Sequence, residues 1–401
     1  MTKLTRLNPV NGNTMMRHTL ILTALLLLLI NSAVHADPKP ERPVFRQEQV
    51  ILNPDQFSAE KQMSYLAFPA VLRLNSKEIL ISYKRGRRHS SDPGAVLEMV
   101  RFDTGTNEIT ERRVIGEQQP LIFQMGEWVQ FPQGRIGNLV DVQKVVQARK
   151  RNHRTGVYWT MSDDQGKTFS PMQKLGPIDG VEYGYIFESA VVGDTVYLLA
   201  MDFPELTARK SAYDEQGKRI YGQVSVIASA DNGQSWKHVR NLSREFGDLN
   251  LNESSIIVDG TGFLIATRGY DNRVRLHRVD QDFKLIKQRD LTAACETIGT
   301  HIGRPRLFKR NGHLYLLGRN SRGGPMELAL FRINPDSFDV ERHVVLDPEP
   351  GVTIKDGYYA VPYFQQNNDQ TLFNVVTYRM SAGNQKNPEL VRLEFLWNEI
   401  R

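Results

Sequence analysis

Cysteine is nearly missing from this sequence: Cys295 stands alone in 401 residues. No disulfide can form within the chain, so stability must come from packing and backbone hydrogen bonds. Metal signatures are missing too. The nine histidines include no H-E-x-x-H pair and no close cluster with aspartate, which leaves a zinc site only weak support. Neither a glycine-rich phosphate loop nor a G-x-S-x-G elbow occurs, and no cofactor is expected. Amphipathic helical periodicity is absent. Past residue 36, no apolar run approaches the ~20 residues that span a bilayer. Neither sign of charge dominates, with 51 Lys and Arg against 45 Asp and Glu and a formal net charge of +6. The basic residues are scattered outside any recognised frame, so nucleic acid is not an expected partner.

What is present begins with a leader. "MTKLTRLNPVNGNTMMRHT" is positive and free of acids, "LILTALLLLLINSA" is apolar, and "VHA" precedes Asp37. That order is the anatomy of a secretory signal peptide with cleavage after Ala36. The expectation is a signal peptide at 1–36 and one domain at 37–401, secreted or periplasmic and free of the membrane once the leader is removed. Removing Lys3, Arg6 and Arg17 with the leader takes the charge from +6 to +3. A mild positive excess suits an anionic ligand and is also ordinary for basic exported proteins.

From residue 65 onward, short runs rich in Val, Ile, Leu, Tyr and Phe alternate with Gly, Asn and Asp turns. Six segments read as strand, polar turn, strand, beginning at Phe68, Arg135, Tyr185, Asn252, Arg304 and Tyr358. Their spacing suits one four-stranded antiparallel sheet per repeat, and six repeats imply an all-β, six-bladed β-propeller. Two turns share a pattern: Ser162, Asp164, Gly166 and Phe169, then Ser229, Asp231, Gly233 and Trp236. Serine and aspartate can bond turn backbone, glycine allows positive φ, and the aromatic fills the gap between neighbouring strands. Such turns should join third strand to fourth. Degenerate versions stand at 102, 279 and 333. The stretch before Tyr65 is expected to open flexibly and then supply a strand that closes the ring, since a propeller must pair its last blade with its first.

With its Asp-box turns and six repeats, the mature chain resembles the sialidase (neuraminidase) superfamily of BNR-repeat propellers. The likeness implies a glycoside hydrolase using a tyrosine nucleophile and a retaining mechanism. In the first repeat Arg87 lies five residues before Asp92, with Gly94 after it, which resembles the family's acid/base motif. Asp92 would then be the general acid/base, and a protonated carboxyl there needs a raised pKa. "LNESSIIVDGTGFLIATRG" in the fourth repeat is similar to the family's Asn-Glu strand pair ending in arginine. It makes Glu253 the activator of the tyrosine and Arg268 a carboxylate clamp. In "DGYYAVPYF" Tyr358 matches the nucleophile, with Tyr359 beside it. A phenol of pKa ~10 needs a nearby carboxylate to accept its proton.

Two clamp positions depart from the family. Ala67 occupies the place of the first arginine and Pro325 that of the third, leaving Arg319 or Arg322 as substitutes. Losing bidentate arginine contacts weakens recognition of a carboxylate. Phe68-Pro69, the run from Tyr83 to His89, and Asn252-Glu253 with Arg268 are also similar to the sialidase-like BNR-repeat proteins of bacteria. His89 and His301 can face the central funnel, and His313 lies near a turn.

These residues lead to an exported sialidase-like hydrolase acting on an anionic sugar or glycan, exo-α-sialidase being the specific version. A non-catalytic glycan-binding propeller and a polysaccharide lyase stand as alternatives. The expected partner is carbohydrate, with the protein a monomer and no metal. Asp92, Glu253, Arg268 and Tyr358 should meet at one mouth of the central channel, with Arg87, Arg319 and Arg322 near the substrate.

Overall fold

Runs of β-branched and aromatic residues, many closed by an Asn, Asp or Gly turn, become strands in the computed structural model. It describes residues 37–401 apart from 61–62, 147–150, 204–220, 322–325, 349–355 and 382–383. The expected leader, Arg322 and Pro325 lie outside the described residues. Pro38–Arg401 forms one compact unit.

Two N-terminal strands, β1 (Pro40–Glu41) and β2 (Gln47–Leu52), precede six sheets. The first sheet holds β3 (Tyr65–Arg73), β4 (Glu78–Gly86), β5 (Val96–Asp103) and β6 (Glu108–Gly116). In the second are β7 (Ile122–Gln130), β8 (Ile136–Val146), β9 (Arg151–Ser162) and β10 (Gln173–Lys174). The third contains β11 (Tyr183–Val192), β12 (Thr195–Asp202), β13 (Val224–Ser229) and β14 (Lys237–Asn241). The fourth comprises β15 (Leu251–Asp259), β16 (Gly262–Gly269), β17 (Val274–Val279) and β18 (Leu285–Asp290). The fifth is built from β19 (His301–Arg310), β20 (His313–Ser321), β21 (Glu327–Ile333) and β22 (Val340–Pro348). Last come β23 (Val361–Asn367), β24 (Gln370–Ser381) and β25 (Asn384–Leu396).

Each sheet is antiparallel in sequence order, which makes a six-bladed β-propeller of four-stranded blades. The sixth blade borrows its outer strand: β2 pairs with β25, Gln47 opposite Glu394 and Val50 opposite Val391. The N-terminal segment thereby closes the ring, as a propeller requires. β1 adds a short parallel strand outside β22. First strands of successive blades pack together around the axis, β3 on β7, β11 on β15 and β15 on β19.

Apolar side chains fill the gaps between blades, and one larger cluster joins Ala67, Met125, Tyr185, Ile256 and Tyr378 of five blades. Leu264 and Leu276 of the fourth blade meet Ile302, Leu307 and Leu316 of the fifth. Tyr315 and Leu317 of the fifth meet Phe373, Val375 and Phe395 of the sixth.

The second blade corrects the sequence-based expectation. Its first strand is β7, from Ile122, whereas the expected repeat began at Arg135. Asp141 and Gln143 look like turn residues, yet both are buried inside β8. Asp141 is satisfied there by Arg154 at 3.3 Å and by the Gln143 amide at 2.7 Å. Polar side chains that find partners can sit inside a strand.

The two matched turns do link third strands to fourth, β9 to β10 and β13 to β14. Ser229 Oγ accepts the Gly233 N–H at 2.9 Å, while Asp231 accepts the Ser235 N–H at 2.9 Å. Ser162 and Asp164 repeat this, accepting from Gly166 and Thr168 at 2.8 Å each. In the degenerate versions Asp103, Asp280 and Asn334 likewise cap turn N–H groups.

Gly233 has φ +83°, and a Cβ there would come 2.6 Å from Phe131 of the neighbouring blade. Backbone strain and overpacking therefore act together. Gly233→Ala should lower unfolding free energy by roughly 2–3 kcal/mol. Denaturant titration checks this, and a loss below ~0.5 kcal/mol would contradict the account.

Candidate functional site

A strand bulge begins the site. In four inner strands two residues oppose one: Phe68-Pro69, Phe187-Glu188, Asn252-Glu253 and Arg304-Pro305. Bulges re-aim side chains, and here they fall at matching places in the first strands that surround the axis. Phe68 and Arg304 have φ of +58° and +48°, and Tyr358, just before β23, repeats this with +58°.

Glu253, opposite Arg268, is only 4% exposed. Its Oε1 accepts the hydroxyls of Tyr359 at 2.6 Å and Tyr185 at 2.9 Å. Its Oε2 accepts from Arg268 Nη1 at 2.6 Å and the Arg304 backbone N–H at 2.9 Å. Burial alone would raise the carboxyl pKa. The Arg268 charge, the Tyr359 hydroxyl and the Arg304 N–H outweigh it and bring the value to about 2. Tyr359 moves the other way, to about 12, through burial and the Glu253 charge.

Two guanidiniums converge on His301. Arg268 Nη1 donates to its Nε2 at 2.9 Å, and Arg319 Nη2 does so at 3.1 Å. Arginine only donates, so Nε2 is an acceptor and the ring is neutral, with its proton on Nδ1. Burial and the two cations push His301 down to about 3. Arg319 also donates to the Gly357 carbonyl at 3.2 Å and reaches the Tyr359 hydroxyl at 3.5 Å. Besides this neutral nitrogen, Arg268 meets Glu253 at 2.6 Å, while the carboxylate nearest Arg319 is Asp356 at 3.7 Å. The pair is suited to an anionic group.

Beneath lies Glu127 of β7, gripped in bidentate fashion by Arg306 at 2.7 and 3.1 Å and also bonded by Arg304. Arg304 further donates to the carbonyls of Ile186 and Phe187, both at 3.2 Å. These bonds brace β7, β11 and β19 against one another.

Beside the arginines stands Asp356. It accepts from the Tyr378 hydroxyl at 2.6 Å and from Tyr65, and lies 3.7 Å from Arg319 Nη1. Its other contact is His89 Nδ1, at 2.6 Å. Burial would raise the Asp356 pKa, but His89, Tyr378 and Tyr65 lower it.

The structure brings Glu253, Arg268 and Arg319 together and places Tyr358, Asp92 and Arg87 elsewhere. Tyr358 faces the seam between fifth and sixth blades, clustered with Tyr315, Leu317 and Phe373, where its hydroxyl partly offsets the burial that raises the Asp347 pKa. Its neighbour Tyr359 meets Glu253 instead. Left-handed backbone at Tyr358 shifts which of the two rings turns to the axis. Asp92 is 1% exposed and faces inward. Its Oδ2 accepts the N–H groups of Arg87 and Arg88 at 2.8 and 3.3 Å and pairs with Lys84 at 3.4 Å. Such enclosure does not fit a group that must touch a leaving oxygen. Arg87 is exposed and bonds Asp92 through its backbone. Ala67 is fully buried in β3, so no side chain there replaces the first clamp arginine.

Tyr185, Arg304 and Asp356 were not singled out from sequence. Arg304 and Arg306 flanking Pro305 in an otherwise buried strand, and an acid just before a tyrosine pair, were the available signals. Among the described residues, no cluster of three His, Cys, Asp or Glu is placed to hold a metal ion.

No protein-family profile matches the chain, and no curated protein does. Solved structures do. A protein of unknown function from Dyadobacter fermentans superposes with TM-score 0.65 at 14% identity, covering 88% of this chain and 98% of that one. The NanB sialidase from Streptococcus pneumoniae gives 0.58 at 11%, covering 84% and 69%. A sialidase of Trypanosoma rangeli in complex with sialic acid gives 0.52 at 9%, covering 82% of this chain and 54% of the other. At these identities the likeness is one of fold, and that fold is a sialidase-like propeller.

Because the Glu253 pKa is lowered, its stabilisation is fully present above the unfolded value of 4.5 and is lost as pH falls toward about 2. The gap corresponds to about 3 kcal/mol. Glu253→Gln should therefore flatten the fall in unfolding free energy between pH 4.5 and 3, measured by denaturant titration. Equal acid slopes in variant and wild type would refute the assignment.

Proposed function

We propose that this protein is a sialidase-like glycoside hydrolase acting on an anionic sugar, with Tyr359 as nucleophile and Glu253 as its proton acceptor. The observation that carries the reading is the 2.6 Å hydroxyl–carboxylate contact between them, flanked by Arg268 and Arg319. Attack by a tyrosine oxygen forms a glycosyl-enzyme, and water then releases the sugar with retention. The neighbours named as sialidases share the propeller fold, and exo-α-sialidase activity is the specific form of the proposal. Export follows from the leader, so the work would be done in the periplasm or outside the cell.

At rest the pair is silent. A carboxyl near 2 cannot take a proton from a phenol near 12. An anionic substrate group changes that balance by competing for Arg268 and Arg319. As Arg268 turns from Glu253 to the ligand, the carboxyl loses its strongest partner, its pKa climbs, and it becomes a base for Tyr359. The sugar's own charge thus serves to activate the nucleophile. Buried Ala67 favours a second reading, glycan binding without turnover, because the clamp holds two arginines rather than three.

Turnover of a fluorogenic sialoside, followed by uronate and sulfated glycans, separates these readings. Tyr359→Phe should lower kcat by about 10³-fold or more, while Tyr358→Phe should retain kcat within a few-fold. The reverse pattern would sink the assignment. Binding without hydrolysis supports the lectin-like alternative, and an unsaturated product absorbing in the ultraviolet supports a lyase.

A further inference from the structure

We propose that His89, braced by Asp356, is the group that protonates the departing oxygen in this site. The assignment rests on the hydrolase reading above. The reaction needs a proton donor that can reach the bound sugar, and Asp92 is sealed beneath its own loop. His89 is the opposite case, with its side chain half exposed. Its Nδ1 is engaged by Asp356 at 2.6 Å, which leaves Nε2 on the far side of the ring. A carboxylate on one nitrogen fixes the ring's orientation and stabilises the imidazolium, the logic by which an aspartate supports a catalytic histidine.

Two routes tie this dyad to the nucleophile. Asp356 lies 3.7 Å from Arg319, whose Nη2 is 3.5 Å from the Tyr359 hydroxyl. The Phe68 ring touches both rings, with centroids 5.1 Å from His89 and 5.6 Å from Tyr359. Every element packed against His89 contributes to its setting. Asp356 faces it directly, Tyr65 and Tyr378 share that carboxylate, and Arg319 stands behind it. Lys84 and Gln124 hold the His89 carbonyl at 2.9 and 2.7 Å, while Arg88 turns its guanidinium to the Ser91 carbonyl.

The chemistry balances. Tyr359 Oη bonds to the anomeric carbon as the glycosidic C–O bond breaks, its proton passes to Glu253, and His89 Nε2 protonates the leaving oxygen. Water then attacks the anomeric carbon and the tyrosyl bond breaks. Glu253 returns its proton to the phenolate while neutral His89 takes one from the water. The net change is hydrolysis, and both residues recover their starting state.

The test compares wild type, Tyr359→Phe and His89→Gln on the methyl and 4-methylumbelliferyl α-glycosides of N-acetylneuraminic acid. Methanol departs only with a proton, whereas the umbelliferyl phenol departs nearly without help. His89→Gln should cost about 10² to 10⁴ in kcat on the methyl glycoside and under ~10-fold on the aryl one. Equal losses on the two substrates, or none, overturn the role of His89 even if Tyr359→Phe is dead. Should the wild type turn over neither sialoside, the sialidase reading falls and this inference with it.

Discussion

One buried carboxylate organises this molecule. Glu253 collects a hydroxyl from β11, a guanidinium from β16, a backbone N–H from β19 and a second hydroxyl from the residue pair before β23. Four blades are tied by a single anion. An enclosed carboxylate is costly to desolvate, and only a full set of donors makes it tolerable. The blades must therefore keep their relative spacing for the charge to survive. The same donors make Glu253 a poor base in this arrangement, and the proposed reaction therefore depends on an anion that competes for Arg268.

Reaching one point from four strands demands a break in the strand pattern. Regular β-structure alternates sides, and the bulges at Asn252-Glu253 and Arg304-Pro305 turn a residue inward where the pleat would not. Left-handed backbone at Phe68, Arg304 and Tyr358 costs each residue about 1–3 kcal/mol. Such conformations persist only where the surroundings over-determine them. Arg304 shows how: its guanidinium reaches Glu127 and the carbonyls of Ile186 and Phe187, while its N–H holds Glu253. At Arg304 the strained backbone and the Glu253 network meet in one residue.

This explains what could be read from sequence. Turn chemistry is local, so Ser229-Asp231-Gly233 and its relatives identified the blades and their third-to-fourth strand links. Ring closure was legible because an unpaired edge is unfavourable wherever the chain begins. Motif matching points to Tyr358 rather than Tyr359 because the sign of φ at Tyr358, which turns the pair, is invisible in a string of letters. The polarity of Asp141 and Gln143 mimics a turn and hides one blade start, while Arg154, opposite Gln143 on the neighbouring strand, makes them buriable. Asp92 carries the right residue type at the right spacing, yet spacing says nothing of the side a carboxylate turns to.

Asp92 has work to do even so. Its carboxylate caps the Arg87 and Arg88 N–H groups, and Oδ2 approaches Gly86 so closely that any Cβ there would collide with it. Lys84, brought down to about 8 by burial against the opposing pull of Asp92, spends its ammonium on the carbonyls of Arg88 and His89. Acid and base therefore grip opposite polar groups of one tight loop, N–H from one side and C=O from the other. A loop held this way can expose a side chain without letting it wander. The residue it exposes toward Asp356 is His89, so the buried aspartate helps fix where that ring stands, and in the proposed reaction its part is that of a positioning group.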